Sequence, residues 1–375
     1  MLKGKIFASF SVLVSSLCFL VSTGWAVNCA CNGKVGALQA CINSNPPGST
    51  ITVVGPATCY ENLTLVQDLD TLTANTTSGK VVLAAANSSM PVISVVGTGV
   101  SFISGFTIQG GTFGIDCDLG NAIIFQNTIQ NCSVAGINVG GGYATIGTNN
   151  PKNAAPSPNT IINCPVGVQV TVHSGAGIVG NTIKSCKTAG IVVDSASQAD
   201  IAGNTIDGCG NAISVSENSS IRLSDRPYQT FPMWGSLNKT DATLKNTGAA
   251  ILCSTGGCIR GYAGGLLGST LISADTTCIQ NFKTNSSQLV GSWALVSTNI
   301  SNAPKKYTFY PDGAGLTDTD SFMWSGTATT LSLTTKIGKT ASGALTWGAG
   351  YATLKWTITS GTLVPVGSWI TMKRQ

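Results

Sequence analysis

Two aspartates stand two residues apart in FGIDCD, at Asp116 and Asp118. In an extended segment such residues project from the same side, about 6–7 Å apart. Carboxyl groups at that separation can hold a calcium ion, or act as acid and base with a sugar between them. A second concentration of reactive groups is IRLSDRPYQTFPMWGSLNKTD (221–241), which carries Arg222, Asp225, Arg226, Tyr228 and Trp234. Guanidinium groups grip carboxylates through paired hydrogen bonds, and aromatic rings stack on sugars. His173, in VQVTVHS, is the single histidine and reads as a polar surface residue near a strand end rather than a base. Zinc would need ligands at finger-like spacing with histidine nearby, which the sequence lacks.

Such groups are rare because the chain is poor in charge. Only 9% of its 375 residues are Asp, Glu, Lys or Arg, while 45 are glycine. That composition predicts an all-β, turn-rich, extracellular protein, and 43% hydrophobic residues suffice for a core. The first 26 residues have the form of a secretory signal. Lys3 and Lys5 precede an apolar run that ends in small residues at Ala26. No second hydrophobic run follows, so no membrane span is expected. Without those lysines, 18 basic residues face 15 acidic ones. This balance is too weak for a nucleic-acid partner. Twelve of the 13 cysteines follow the signal, as suits an oxidising compartment. One or two disulfides are expected among Cys29, Cys31, Cys41 and Cys59, and again among Cys253, Cys258 and Cys278, with pairing left open.

The elements that must position the reactive groups come from a repeat. GFTIQGGTFGIDC, QNTIQNCSVAGINV, PNTIINCPVGVQV, GNTIKSCKTAGIVV and GNTIDGCGNAISV align from Gly105, Gln126, Pro158, Gly180 and Gly203. The period is close to 22 residues once an insertion of about ten residues within 147–158 is set aside. Such a unit is too short for two helices and cannot bury its apolar residues alone, so it must stack on its neighbours. Alternation points Ile183, Ile191, Val193, Ile206, Ile213 and Val215 inward. Asn127, Asn159, Asn181 and Asn204 fall at a turn, where stacked amides can pair along the axis. Cys132, Cys164, Cys186 and Cys209 form one column and read as small buried hydrophobes. Asp116, Asn138, Gln169, Val192 and Ser214 form an outward column, with Asp118, Gly140, Thr171, Asp194 and Ser216 beside it.

These repeats resemble those of the pectin-lyase-like superfamily, whose fold is a right-handed parallel β-helix. Residues 37–65 resemble the opening rungs of that group, with a short amphipathic helix as cap, and 259–282 resemble closing rungs. The likeness implies a fold but no particular activity. The Asn-Thr-Asp, Asp-Asp, Gly-His-Gly and Arg-x-Lys motifs of polygalacturonase-type members are absent. Pectate-lyase-type members carry calcium carboxylates on neighbouring rungs, where this chain has Asn138 and Gln169.

From about residue 285 the pattern changes. LVGSWALVS, KKYTFYPDGAG, SFMWSGTATTLSLTT and YATLKWTIT alternate apolar and polar residues, and five of the seven tryptophans lie here. Hairpin signals at Pro311-Asp312-Gly313 and Ser360-Gly361 predict a small antiparallel barrel of seven or eight strands. Gly291-Ser292-Trp293 followed by YTFYPDGAG resembles a lipocalin-like domain, with Trp293 as a plug in the barrel bottom.

The expectation is therefore an all-β chain in three parts: a signal (1–26), a right-handed parallel β-helix (27–284) and a small antiparallel barrel (285–375). It is expected to be secreted, extracellular or periplasmic, and monomeric. It would bind a polysaccharide or cell-surface glycan, with no cofactor unless the aspartate pair takes calcium. The alternative is a polysaccharide lyase or hydrolase acting on acidic polysaccharide. Its catalytic groups would be Asp116, Asp118, Arg222, Asp225 and Arg226, and Tyr228 and Trp234 would bind the sugar.

Overall fold

The computed structural model describes residues 26–31, 33–66, 71–77, 79–148, 157–223, 238–241, 243–261, 266–281, 289, 291–309, 313–326, 329–348 and 353–375. Among these there is one helix, Ala37–Asn43, and otherwise strands. The chain winds so that each turn lays one short strand on each of three parallel sheets. Val100–Ser104 is followed by Thr107–Gln109 and Phe113–Asp118, and Asn121–Phe125 then returns beside Val100–Ser104. These sheets hold 11, 7 and 9 strands in that order along a turn. They are called here the first, second and third faces.

Register is the same from turn to turn. Thr128, Thr160, Thr182 and Thr205 are partners on the second face. Ile115, Ile137, Val168, Ile191 and Ile213 are partners on the third. All six residues expected to point inward are buried. The Gly-Ile pair of the repeat has a steric cause. A Cβ on Gly190 would lie 2.4 Å from Ile206 Cγ2, and one on Gly136 would lie 2.5 Å from Ile161 Cγ2. Isoleucines of the second face occupy the space that a side chain would need.

The corners are polar where they must be. Asn159 Nδ2 donates to Asn181 Oδ1 at 3.0 Å, and Asn181 Nδ2 to Asn204 Oδ1 at 3.1 Å. The same amides donate to the carbonyls of Ile124 and Ile146. The buried amides thereby find acceptors on the backbone of the preceding turn. The ladder continues one step further than the repeat suggested, because Asn204 Nδ2 donates to Asn238 Oδ1 at 3.0 Å. The insertion in 147–158 leaves and returns at one point, where Ser157 N donates to Gly147 O at 2.8 Å.

The cysteine column sits at the next corner. Cys132, Cys164, Cys186 and Cys209 are all buried and unpaired. Hydrogen bonding to Cys164, then burial, pushes the Cys132 thiol up, and Cys209 and burial do the same to Cys186. Packing accounts for this column.

At the start of the solenoid, Leu38 and Ile42 bury one side of the helix. The Glu61 carboxylate accepts from Gly36 N at 3.0 Å and Leu38 N at 2.9 Å, which caps the helix from the neighbouring rung. Disulfides Cys29–Cys41 and Cys31–Cys59 tie the first cysteine group, and Cys253–Cys278 the later one, leaving Cys258 free.

Strands Gly291–Thr298 through Trp369–Arg374 form a closed antiparallel barrel of 8 strands. Period-2 alternation turns Phe322 and Trp324, Leu331 and Leu333, and Leu354, Trp356 and Ile358 into its core. Trp293 is fully buried. Its Nε1 donates to Leu289 O at 2.8 Å, and Arg374 lies 4.9 Å over its ring. One turn differs from expectation: Ser360 and Gly361 end the strand Thr353–Gly361, and the chain reverses after them.

Candidate functional site

A cavity of about 720 Å³ forms a groove on the first face. Two outward columns form its floor. One runs Tyr143, Gly175, Gln198 and Ser220, and the other Asp200, Arg222 and Arg260. Gly175 withholds a side chain from the lining. Gly175 is also a seat, because a Cβ there would lie 2.9 Å from Tyr143 Cδ2. The half-exposed ring thus covers the backbone at one end of the groove.

Charge gathers at the other end. Arg222 Nε donates to Asp200 Oδ1 at 2.9 Å, and its Nη2 reaches Asp200 Oδ2, so the pair is bidentate. Arg260 is the register partner of Arg222 on the next strand. Like charges directly opposite each other cost stability. Asp200 compensates Arg222, whereas exposed Arg260 has no ion-pair partner among the described residues. Among the described residues, the groove therefore offers Arg260 to a ligand as a cation without an ion-pair partner.

His173 stands on the rim, exposed rather than buried. It follows Val172, and both residues have left-handed backbone, φ 56° and 58°. A β-branched residue in that region is strained. The bond from His173 N to Ser195 O, 3.0 Å, holds the corner. The backbone of His173 is thus fixed beside the groove.

The aspartate pair lies elsewhere. Asp116 and Asp118 share the outward side of Phe113–Asp118 on the third face, in register with Asn138 and Gly140. Asn138 Nδ2 donates to Asp116 Oδ1 at 2.8 Å. Burial raises the Asp116 carboxyl above its ordinary range, the Asn138 bond opposes this, and the charge of Asp118 adds to it. A Cβ on Gly140 would lie 3.4 Å from Asn138 Nδ2 and 3.7 Å from Asp118 Oδ1. Four register steps, about 19 Å at one strand spacing each, separate Asp116 from Ser214. Arg222 follows Ser214 on a different face. One sugar cannot bridge the pair and Arg222.

Of the residues expected to act, Arg222 lies in the groove and Asp116 and Asp118 lie together, apart from it. Asp225, Arg226, Tyr228 and Trp234 lie outside the described residues. The reading of the sequence passed over Tyr143, Gln198, Asp200 and Arg260. The signal was present in SIRL and CIRG, where an arginine follows an inward isoleucine. Their spacing of 38 residues, stretched by the 224–237 segment, hid the match.

Residues 91–227 match the family model described as a right handed beta helix region. The solenoid is a right-handed β-helix. No curated protein matches the chain. Among solved structures, this β-helix chain is similar to an alginate lyase from Paenibacillus sp. str. FPU-7. There the identity is 14%, covering 66% of this chain and 99% of that one, with a TM-score of 0.38. It is similar also to the enzymatically active domain of tailspike protein 2 of bacteriophage CBA120, at 12% identity, 90% and 73% coverage and TM-score 0.36. A third similar structure is ORF18 of Geobacillus virus E2, at 10% identity, 93% and 76% coverage and TM-score 0.31. At these identities and TM-scores none of the three bears on the activity of this chain.

Proposed function

We propose that this is a secreted β-helix protein that binds extracellular glycans in the groove of the first face. It acts as a monomer, the 1–26 segment directs export, and the solenoid and barrel divide near residue 285. The observation that carries the reading is the groove itself. A tyrosine ring lies at one end, polar Gln198 and Ser220 line the floor, and Arg260, without an ion-pair partner among the described residues, stands at the other end. Aromatic stacking, hydroxyl-bonding side chains and a cation are the groups that a sugar chain with acidic substituents requires. Three disulfides suit an extracellular location.

The test is binding to a panel of neutral, uronate-bearing and sulfated polysaccharides at two ionic strengths. Uronate or sulfate chains should bind, more weakly at high salt, and Arg260→Ala should remove the preference. Equal binding of neutral and acidic chains, or none, would sink the proposal.

The second reading, a polysaccharide lyase or hydrolase, draws on the half-buried Asp116, whose raised carboxyl suits a general acid beside Asp118. It predicts release of reducing ends or unsaturated uronate, lost in Asp116→Ala. An active Asp116→Ala would remove this reading while leaving the groove proposal intact.

A further inference from the structure

Charge is shared unevenly along the chain. From residue 285 onward seven basic residues face three acidic ones, whereas the segment 27–284 carries 11 basic and 12 acidic residues. The three late acids, Asp312, Asp318 and Asp320, all precede the strand Ser321–Gly326. Lys306–Phe309, Gly291–Thr298, Trp369–Arg374 and Thr353–Gly361 are successive neighbours around the barrel, and these four strands contain no acid.

Register sets three lysines on the outside of this wall. Ala294 is the partner of Lys306 on one side and of Lys373 on the other. Lys355 stands opposite Thr371, two residues before Lys373. All three lysines are exposed, while Tyr307, Met372, Leu354 and Trp356 beside them in sequence belong to the core. Three strand spacings, about 14 Å, separate Lys306 from Lys355. None of the three has an ion-pair partner among the described residues. Asp318, just beyond Thr317 on the strand next to Lys306, accepts instead from Lys305 N at 3.2 Å. Clustered like charge works against the compact state, and an anion from outside would offset it.

Shape decides which anion fits. The lysines form a line across four strands rather than a ring around a point, so a small anion meets only one of them. Lys355 Nζ lies 4.8 Å over the half-buried Trp369 ring, which steadies one end of the line. Between the cations the wall presents Ala294, Thr353 and Thr371, and beside them the paired hydroxyls of Ser292 and Thr308. Hydroxyls and an indole suit a sugar chain. A nucleic-acid strand carries a charge about every 3.4 Å, far denser than this row. A bilayer would be met by apolar side chains among the lysines, where small and hydroxyl residues stand.

We propose that this outer wall of the barrel is a docking surface for an acidic polysaccharide, whose carboxylate or sulfate groups, spaced along the chain, meet Lys306, Lys373 and Lys355. It is a second site, and it does not depend on the groove of the solenoid.

The test removes the groove's cation first, so that the two sites are read apart. The full chain carrying Arg260→Ala is titrated with dextran sulfate and with dextran, which differ in charge alone. The titration is repeated with Lys306→Ser, Lys355→Ser and Lys373→Ser added together. A charge-matched control adds Lys34→Ser, Lys187→Ser and Lys245→Ser, all at exposed positions of the solenoid. Dextran sulfate should bind the Arg260→Ala chain, and dextran should not. The barrel triple should weaken dextran sulfate at least about tenfold and the control less than about threefold, with the gap closing at high salt. Equal losses in the two triples would reduce the effect to net charge and overturn the proposal. Absence of binding by Arg260→Ala would overturn it as well, while leaving the groove reading intact. Undiminished binding by Arg260→Ala, lost in the barrel triple, would uphold the barrel surface and strike the groove. Duplex DNA or phosphatidylglycerol vesicles bound more tightly than dextran sulfate, through the same lysines, would overturn the choice of partner. Should the barrel triple fold poorly, Lys373→Glu alone reverses the central charge and decides the same question against Lys187→Glu.

Discussion

The first and third faces of the solenoid share one core and one register but differ in what they present to solvent. On the first face, Gly175 withholds a side chain within a groove and arginines stack at its end. On the third face, the column Asp116, Asn138, Gln169, Val192, Ser214 carries a side chain at every step, and its charge is confined to one rung. A parallel solenoid repeats every outward position once per turn. A cleft therefore needs a side chain withheld along an outward column, and a binding charge needs company on adjacent strands. The first face meets both conditions. The third offers a carboxylate pair whose nearest polar neighbour, Asn138, already satisfies one oxygen of Asp116.

Substitutions can break this contrast or sharpen it. Asn181→Ala strikes the rung that supports both faces. Its amide donates to the Ile146 and Val179 carbonyls and to Asn204, and its oxygen accepts from Asn159. Several buried groups would lose partners, so denaturant unfolding should show a loss of about 4 kcal/mol. A loss below about 1 kcal/mol would mean that the ladder is not a main support.

Arg260→Ala should leave the fold intact and weaken binding of an acidic glycan about ten- to hundredfold, the range for a charge-assisted bond. Asp116→Ala should leave that affinity unchanged in the same calorimetric titration. The reverse pattern would move the site to the third face. Gly175→Val should lift the Tyr143 ring off its seat and cost up to about tenfold in affinity, while Gly175→Ala should cost less.

The smallest effect is expected at Asp116. Its carboxyl is raised in the folded state, so folding favours the protonated form. Stability is then highest at acid pH and declines as pH rises from the unfolded value through the folded one. Asp116→Asn should therefore melt a degree or two higher at neutral pH. The gap should close below about pH 4, where both states are protonated. A gap that persisted at low pH would assign the gain to packing rather than charge.

Much of the solenoid was readable in advance. Asn-Thr-Ile followed by cysteine and Gly-Ile recurs at a fixed period, and each residue type has one place where it fits: amides at a corner, thiols at the next, glycine beneath an isoleucine. The outward column beginning at Asp116 also emerged correctly, because alternation alone assigns it. The groove was harder to see. Tyr143, Asp200 and Arg260 are scattered over more than a hundred residues of sequence. Only the stacking register, carried across the insertions at 149–156 and 224–237, brings them onto one surface.

The barrel shows the same division. Alternating Trp, Phe and Leu predicted a closed sheet with Trp293 buried at its base. Nothing in that alternation distinguishes Trp293, which finds a carbonyl, from Trp356, which does not. Period and residue type determine which side chains face inward, because those depend on neighbours in the chain or one repeat away. Which outward groups meet, and which buried donor lacks an acceptor, depends on contacts between distant segments. Those exist only once the turns have stacked and the barrel has closed.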